Sequence, residues 1–217
     1  MTVRIVRDDP GGRVAAIEVL RDGGIVALPT DTVYGIAVSL DTPGGIERLF
    51  RVKRRPPDKG IALLLDEVAQ AVAIAVVTPA AWALAEACWP GGLTLVLARR
   101  PGVALPDELT GGAATIGLRV PDHATPRALA RAVGPLPTTS ANVSGLPEAR
   151  DAAAIVQQLG LGVDLVLDGG PAHGGPASTV VDCTDDGPRI LRVGAVSAER
   201  VAAVLAGAGI LLAPTSR

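Results

Sequence analysis

The sequence contains few aromatic residues. Among its 217 residues there are only Phe50, Tyr34, Trp82 and Trp89, and the formal net charge is −2. A protein that binds RNA by itself normally offers aromatic side chains for base stacking and a broad basic surface. The composition therefore argues against an independent RNA-binding module, and we expect no stable binding of nucleic acid.

Cysteine and histidine are also scarce. The four residues are Cys88, Cys183, His123 and His173, and they show neither CxxC nor HxxxH spacing. Widely separated cysteines of an intracellular protein are normally reduced core residues. We therefore expect free thiols and no zinc site.

Long hydrophobic runs are missing too. The most apolar stretches, 69–77 and 201–213, are shorter than the roughly 20 residues of a membrane helix. The first ten residues, MTVRIVRDDP, lack the apolar core of a signal peptide. We therefore expect a cytoplasmic protein without membrane partners, and its 48% hydrophobic residues are enough for one compact core.

Short apolar segments alternate with helical ones. This alternation is typical of a single α/β domain with a mixed, twisted, open β-sheet and flanking helices. We assign the domain to residues 10–205 and a C-terminal tail to 206–217. Ser197 is expected to cap the last helix. Helices are predicted over 13–21, 45–53, 67–74, 79–88, 125–133, 151–159 and 198–205, and strands over 25–28, 33–40, 61–65, 93–98, 115–120, 136–139, 163–167, 178–182 and 189–193.

Four polar clusters interrupt the apolar pattern, each at the end of a predicted strand. Ligands of open α/β sheets usually bind beyond the carboxyl ends of strands, so we expect a site there. The first cluster is PTDTVYG at 29–35, whose hydroxyls and carboxylate can hydrogen-bond a small polar ligand. The alternative is a capped turn between two strands.

The second cluster concentrates positive charge. Five cations occur within nine residues, at Arg51, Lys53, Arg54, Arg55 and Lys59. Arginine can bind phosphate oxygens in a bidentate manner, and lysine acts as a point charge. The cluster therefore indicates an anion site, although a solvated helix end would carry similar residues.

The last two clusters offer donors for phosphate groups. One is TTSANVSG at 138–145, which is otherwise a serine-rich turn. The other joins the glycine-rich stretch 169–175 to Ser178, Thr179 and Arg192. It is not a P-loop, because no lysine follows its last glycine and a strand comes next. Any nucleotide site is therefore of a non-P-loop type.

Seven motifs occur in order between about Gly23 and Arg192. Together they resemble the YrdC/Sua5 family of threonylcarbamoyl-AMP synthases, in particular its short, single-domain YrdC-like members. The motifs are PTDTVYG at 29–35, the K-x-R of Lys53 and Arg55, WPGGLTLVL at 89–97, GLRVPDH at 117–123, TSANVSG at 139–145, STVVD at 178–182 and ILRVG at 190–194.

The resemblance implies an L-threonylcarbamoyladenylate synthase, a nucleotidyltransferase. Such an enzyme makes threonylcarbamoyl-AMP and pyrophosphate from L-threonine, carbon dioxide or bicarbonate, and ATP, for N6-threonylcarbamoyladenosine (t6A) at position 37 of tRNA. The implied ATP-binding residues are Lys53, Arg55, Lys59, Thr115, Ser140, Asn142 and Arg192, and the first two are the catalytic candidates. The implied L-threonine-binding residues are Thr32, Tyr34, Arg119, Thr138 and Ser178.

The resemblance also implies cofactors and partners. Mg²⁺ is expected to arrive with ATP, held mainly by phosphates and water. Asp31 is the only protein carboxylate considered as a metal ligand. The product is labile, so a downstream threonylcarbamoyl transferase complex that acts on tRNA is expected.

The chain departs from the family pattern at three positions. Leu64 stands where some relatives have a histidine near the threonine, Glu148 where many have a serine near the nucleotide, and Val193 where R-P-G has proline. Two other functions are considered, an RNA-binding module without catalysis and a carbamoyltransferase domain of the hydrogenase-maturation type. The zinc-finger and acylphosphatase regions of the latter are not recognisable in this sequence.

Overall fold

The computed structural model describes residues 3–56, 60–172 and 175–213. Within these ranges the chain forms ten strands and eight α-helices. The strands are β1 (Arg4–Arg7), β2 (Val26–Leu28), β3 (Gly35–Ala37), β4 (Ala62–Leu64), β5 (Leu93–Ala98), β6 (Thr115–Arg119), β7 (Leu136–Ser140), β8 (Leu165–Asp168), β9 (Thr179–Asp182) and β10 (Arg189–Arg192). The helices are α1 (Pro10–Arg21), α2 (Gly45–Lys53), α3 (Val68–Ile74), α4 (Pro79–Cys88), α5 (Asp107–Thr110), α6 (Ala124–Val133), α7 (Ala152–Leu159) and α8 (Ala198–Gly207).

Local signals in the sequence determine where helices begin. The side chain of Asp9 accepts a 2.8 Å hydrogen bond from the backbone N–H of Gly12 at the start of α1. Pro10 occupies the first position of that helix, where a missing N–H costs little. Ser197 caps α8 as predicted and accepts from the N–H of Arg200 at 3.2 Å. Each such cap contributes about 1 kcal/mol.

All ten strands belong to one mixed sheet. Their order is β1-β8-β2-β3-β7-β4-β6-β5-β9-β10. Strand β8 is parallel to β1 and β2, β4 is parallel to β6, and β5 is parallel to β9, while the other neighbours are antiparallel. The predicted mixed, open sheet of a single α/β domain is therefore confirmed.

The two faces of the sheet are covered differently. The larger apolar cluster covers one face and takes side chains from α2, α3, α4, α5, α7 and α8. A smaller cluster lies on the other face and takes its helical residues from α1 and α6 only. These two helices pack over β8, β2 and their neighbours. They do not extend over the half of this face that β6, β5 and β9 form. Each leucine buried in these clusters contributes roughly 2 kcal/mol.

The sequence predictions agree with most elements and miss two. β1 and the short helix α5 were not predicted. β1 precedes residue 10 and pairs with β8 in the main sheet, and α8 extends beyond residue 205 to Gly207. The domain bounds of 10 and 205 that were assigned from the sequence stay a prediction. Cys88 and Cys183 are free thiols, as expected. None of the helices in the described ranges is long and apolar enough to cross a bilayer.

Candidate active site

A cavity of about 440 Å³ lies over the half of the sheet formed by β6, β5 and β9 and extends onto β4, β7 and the first residue of β3. Side chains alternate along the strands, so Thr94 and Val96 of β5 face the cavity while Leu93 and Leu95 face the larger apolar cluster. The sequence predicted a site beyond the carboxyl ends of strands. The structure instead places the cavity on the face of the sheet, because α1 and α6 cover only the other half of that face.

Most of the predicted binding residues line this one cavity. Lys53 and Asn142 lie behind Ser140 instead, and Lys59 lies outside the described residues. The cavity brings together four residues predicted to bind ATP, Arg55, Thr115, Ser140 and Arg192, and all five predicted to bind threonine, Thr32, Tyr34, Arg119, Thr138 and Ser178.

Three arginines from distant parts of the chain share the cavity. The Arg55 guanidinium donates to Gly60 O at 2.7 Å and lies 5.9 Å from the centre of the Phe50 ring. Arg192 donates through Nη2 to Ser178 O at 2.8 Å. With Arg119, these side chains form a positively charged pocket that suits an anionic ligand.

Arg119 is the most deeply buried of the three. Its Nη2 atom lies 2.6 Å from Asp31 Oδ1, and the two side chains are only 8% and 14% exposed. Its Nη1 donates to Thr32 Oγ1 at 3.1 Å, and its Nε donates to Gly91 O at 2.9 Å. Burial lowers the pKa of Arg119, and the Asp31 carboxylate opposes that effect. The guanidinium is therefore fixed beside the cavity by three contacts.

The hydroxyl proton of Thr32 has a definite direction. Thr30 Oγ1 donates its single proton to Val33 O at 2.6 Å, so Thr30 must be the acceptor in its 3.1 Å contact with Thr32 Oγ1. Thr32 Oγ1 also accepts from Arg119. The Thr32 hydroxyl can therefore only accept a further bond from a ligand, which suits an ammonium or amine group.

Lys53 lies directly behind the cavity wall. It is 2% exposed, and its ammonium donates to Ser140 O, to Ser140 Oγ at 3.2 Å and to Asn142 Oδ1 at 3.1 Å. Ser140 Oγ donates in turn to Asn142 Oδ1 at 2.6 Å. Lys53 thus holds the turn that presents Ser140 to the cavity, and its predicted direct role on ATP stays a prediction.

The Lys53 ammonium has only neutral acceptors among the described residues. Burial lowers the pKa of Lys53 to about 8, and the nearby Arg55 charge lowers it in the same direction. Glu148, which lines the cavity, has a smaller opposite effect. The turn at Ser140 therefore depends on a charge that can be lost at mildly alkaline pH.

Tyr34 connects the cavity to the glycine-rich stretch. Its hydroxyl donates to Gly170 O at 2.6 Å and accepts from the N–H of Gly169 at 3.0 Å. Burial raises the pKa of Tyr34. The hydroxyl is thus bound by backbone groups, and a contact between Tyr34 and threonine stays a prediction.

Metal ligands do not assemble in the described part of the chain. No group of three or more His, Cys, Asp or Glu side chains comes together there in a way that could hold an ion. Asp31 makes its observed contact with Arg119. Its predicted contact with Mg²⁺ stays a prediction.

Several cavity residues, such as Thr94 and Thr110, were missed from the sequence. Thr94 and Ser178 are both buried, and their hydroxyl oxygens lie 2.8 Å apart. Thr94 is the polar residue of an otherwise apolar strand, a signal that could have identified it. Thr110 ends the unpredicted helix α5. Leu64 and Glu148, two departures from the family pattern, also line the cavity.

The family model and the named relatives point to the same protein family. The Sua5/YciO/YrdC family model, described as telomere recombination, matches residues 18–194. A Bacillus subtilis protein named threonylcarbamoyl-AMP synthase is 34% identical over 94% of this chain and 59% of its own length. An Idiomarina loihiensis protein of the same name is 37% identical over 69% of this chain and 83% of its own length.

A solved structure gives the same result. The crystal structure of Pyrococcus abyssi Sua5 complexed with L-threonine superposes with a TM-score of 0.88 at 30% identity. The match covers 99% of this chain and 63% of the other. The chain therefore spans less than two thirds of the length of its B. subtilis and P. abyssi relatives.

Proposed function

This chain belongs to the Sua5/YciO/YrdC family, and from that premise we propose that it is a threonylcarbamoyl-AMP synthase. The reaction joins L-threonine, carbon dioxide or bicarbonate, and ATP, and it releases pyrophosphate. The observation that carries the proposal is the shared cavity of Arg55, Arg119 and Arg192. Three separate segments deliver these cations to one place, as a reaction between anions requires.

L-Threonine binds at the end of the cavity formed by Arg119 and Thr32. The guanidinium receives the carboxylate of the amino acid, because arginine matches the planar geometry of that group. The Thr32 oxygen accepts from the amine, consistent with the direction of its own proton. A relative with this fold has been crystallised with L-threonine.

ATP occupies the remaining cavity. Arg55 and Arg192 bind its phosphates, Thr115 donates a hydroxyl bond, and the Ser140 oxygen, whose proton goes to Asn142, accepts a bond from the nucleotide. Apolar residues such as Ile61 and Val180 also line the cavity and suit the faces of the adenine ring. ATP is thereby bound without a P-loop.

The chemistry requires positioning and charge stabilisation rather than a protein nucleophile. The threonine amine adds to carbon dioxide, loses a proton and becomes an N-carboxylate. One oxygen of that carboxylate forms a bond to the α-phosphorus of ATP, and the bond from this phosphorus to the bridging oxygen of pyrophosphate breaks. The three arginines offset the repulsion between the two anions and the charge that accumulates, an effect that can be worth several kcal/mol of barrier.

Mg²⁺ is part of the proposal as a companion of ATP. Its preferred ligands are oxygen atoms, and it keeps several waters when it binds nucleotides. The described residues do not form a cage for it. The phosphates therefore supply its main ligands, and the protein residues act independently of it.

The product would serve t6A formation on tRNA. Threonylcarbamoyl-AMP is labile, so a downstream threonylcarbamoyl transferase complex is the proposed recipient. A cytoplasmic location is part of the same proposal, because ATP and tRNA are both available there.

One assay tests the proposed function. The protein is incubated with ATP, L-threonine and bicarbonate, and pyrophosphate release is measured after omission of each component. We expect release only when all three are present, and its loss in Arg55→Ala with an unchanged fold. Release without threonine, or near wild-type turnover of Arg55→Ala, contradicts the proposal.

The two other functions considered from the sequence give different results. A carbamoyltransferase would consume carbamoyl phosphate. A non-catalytic RNA-binding module would bind RNA in a salt-dependent manner without consuming ATP. The names of the relatives favour neither.

A further inference from the structure

Asp31 lies behind the threonine end of the cavity, one residue before Thr32. Its Oδ1 atom accepts the 2.6 Å bond from Arg119 Nη2. Arg119 also donates to Thr32 Oγ1 and to Gly91 O. A guanidinium carries five N–H donors in one plane. The three contacts fix that plane and leave one donor on Nη1 and one on Nη2 for a ligand.

The cavity concentrates positive charge, and Asp31 offsets part of it. Burial lowers the pKa of Arg119, and the charge of Arg192 lowers it further, whereas Asp31 acts in the opposite direction. Repulsion between two cations is strong where water is largely excluded. If the carboxylate were removed, this repulsion would favour rotamers of Arg119 that turn away from Arg192.

We propose that Asp31 is a positioning residue for the amino-acid subsite, whose carboxylate holds the Arg119 guanidinium so that its two remaining donors face the ligand carboxylate. This inference rests on the proposed function. It also assigns Asp31 a role other than Mg²⁺ binding, because the charge of its carboxylate is already paired with the Arg119 guanidinium.

Two other roles for the Asp31–Arg119 contact predict different effects on the KM for threonine. If Asp31 competed with the ligand carboxylate for Arg119, its removal would lower the KM for threonine. If Asp31 only stabilised the fold, its removal would lower the melting temperature without a selective effect on threonine. A positioning role predicts a higher KM for threonine together with an unchanged KM for ATP.

The test uses Asp31→Ala and Asp31→Asn, with pyrophosphate release followed against threonine at saturating ATP and bicarbonate. In Asp31→Ala we expect the KM for threonine to rise about tenfold, in line with the net value of a hydrogen bond to a charged group. The kcat, the KM for ATP and the Mg²⁺ concentration for half-maximal rate stay near wild type. Asp31→Asn retains an acceptor oxygen and gives a smaller rise.

The matched control is Asp66→Ala. Asp66, whose side chain is 9% exposed, forms a 2.8 Å ion pair with Arg131, which is more exposed than Arg119, and Asp66 does not line the cavity. We expect a lower melting temperature and an unchanged KM for threonine.

Several results would overturn the inference. An unchanged or lower KM for threonine in folded Asp31→Ala would do so, as would a raised Mg²⁺ requirement. If Asp31→Ala fails to fold, a wild-type KM in Asp31→Asn has the same consequence. Wild-type protein without threonine-dependent pyrophosphate release would instead overturn the proposed function, and this inference with it.

Discussion

Two cations are almost fully buried near the cavity, Arg119 in its lining and Lys53 behind its wall, and their surroundings differ. At the threonine end, Arg119 is paired with the carboxylate of Asp31. At the nucleotide end, Lys53 donates to the backbone and hydroxyl oxygens of Ser140 and to the amide oxygen of Asn142. The first cation has a counter-ion in direct contact, and the second has only neutral acceptors among the described residues.

This difference determines how each end responds to pH. Burial lowers the pKa of Lys53 to about 8, so its charge is lost in a range where enzymes are easily assayed. An arginine stays protonated throughout that range, and Asp31 supports the charge of Arg119. The comparison therefore predicts a threonine end that is insensitive to mildly alkaline pH and a nucleotide end that is not.

The largest effect is expected from removal of the paired cation. Arg119→Met should lower kcat/KM for threonine about 100-fold, because hydrogen bonds to charged groups contribute about 1.5–3 kcal/mol. Steady-state kinetics of pyrophosphate release measure it. Arg13→Met is the control, since it breaks the 2.8 Å pair with Asp8 outside the cavity. A similar loss in both variants would refute a specific role for Arg119.

Removal of Lys53, the cation without a counter-ion in direct contact, should have a smaller effect. It should change the KM for ATP rather than the KM for threonine. Lys53→Met keeps an apolar stem of similar length but leaves the Ser140 turn without its donor. We expect the KM for ATP to rise about 30-fold, near the cost of an unsatisfied buried acceptor, about 1–3 kcal/mol. The KM for threonine should change little. If both KM values rise equally, the two ends are not separable.

Alkaline pH should reproduce part of that effect in the wild type. At pH 9, one unit above a pKa of about 8, only about a tenth of Lys53 remains protonated, and the KM for ATP should rise by up to about tenfold. The KM for threonine should stay constant between pH 7 and pH 9. If the KM of the wild type for ATP stays constant between pH 7 and pH 9, as it should in Lys53→Met, then Lys53 does not titrate in this range.

Stability should change with pH in the opposite direction. Lys53 has its ordinary pKa of 10.5 in the unfolded chain and about 8 in the folded one, so between these values the unfolded state binds more protons. The free energy of unfolding contributed by this group therefore rises as pH increases through that window. Urea unfolding of wild type and Lys53→Met at pH 7.5 and pH 9.5 measures the difference, and a decrease would contradict the assignment.

The smallest effect is expected from Thr30→Val. This substitution removes the acceptor that orients the Thr32 proton, so that the hydroxyl can also adopt orientations that are unfavourable for an amine. We expect the KM for threonine to rise about threefold, within the range of one neutral hydrogen bond. The KM for ATP is the internal control, and an equal rise in both would indicate a general distortion.

Much of the fold follows from local patterns in the sequence. Helix α2 and strand β5 were predicted with their observed bounds, because apolar spacing and flanking glycines mark them. Strand β1 was missed because it lies at the edge of the sheet and three of its four residues are exposed. Helix α5 was missed because four residues are too few to show a helical period.

The site was predictable in residue type more than in geometry. Motifs identified Arg119 and Asp31, but their contact joins positions 88 residues apart in sequence. The contact of Lys53 with Ser140 spans 87 residues. Such contacts depend on the strand order of the sheet, which the motifs do not specify. For the same reason the sequence analysis predicted a ligand site beyond the carboxyl ends of the strands, whereas the cavity lies on one face of the sheet.

The floor of the cavity and the core share the same strands, so their evolution is not independent. Thr94 and Leu95 are consecutive residues whose side chains lie on opposite sides of β5. A change in the volume of Leu95 must be absorbed by a rigid, close-packed interior, and the shift of its strand would move Thr94 by a similar amount. Substitutions of buried core residues such as Leu95 can thus change how well a ligand fits the cavity, although these residues do not contact the ligand.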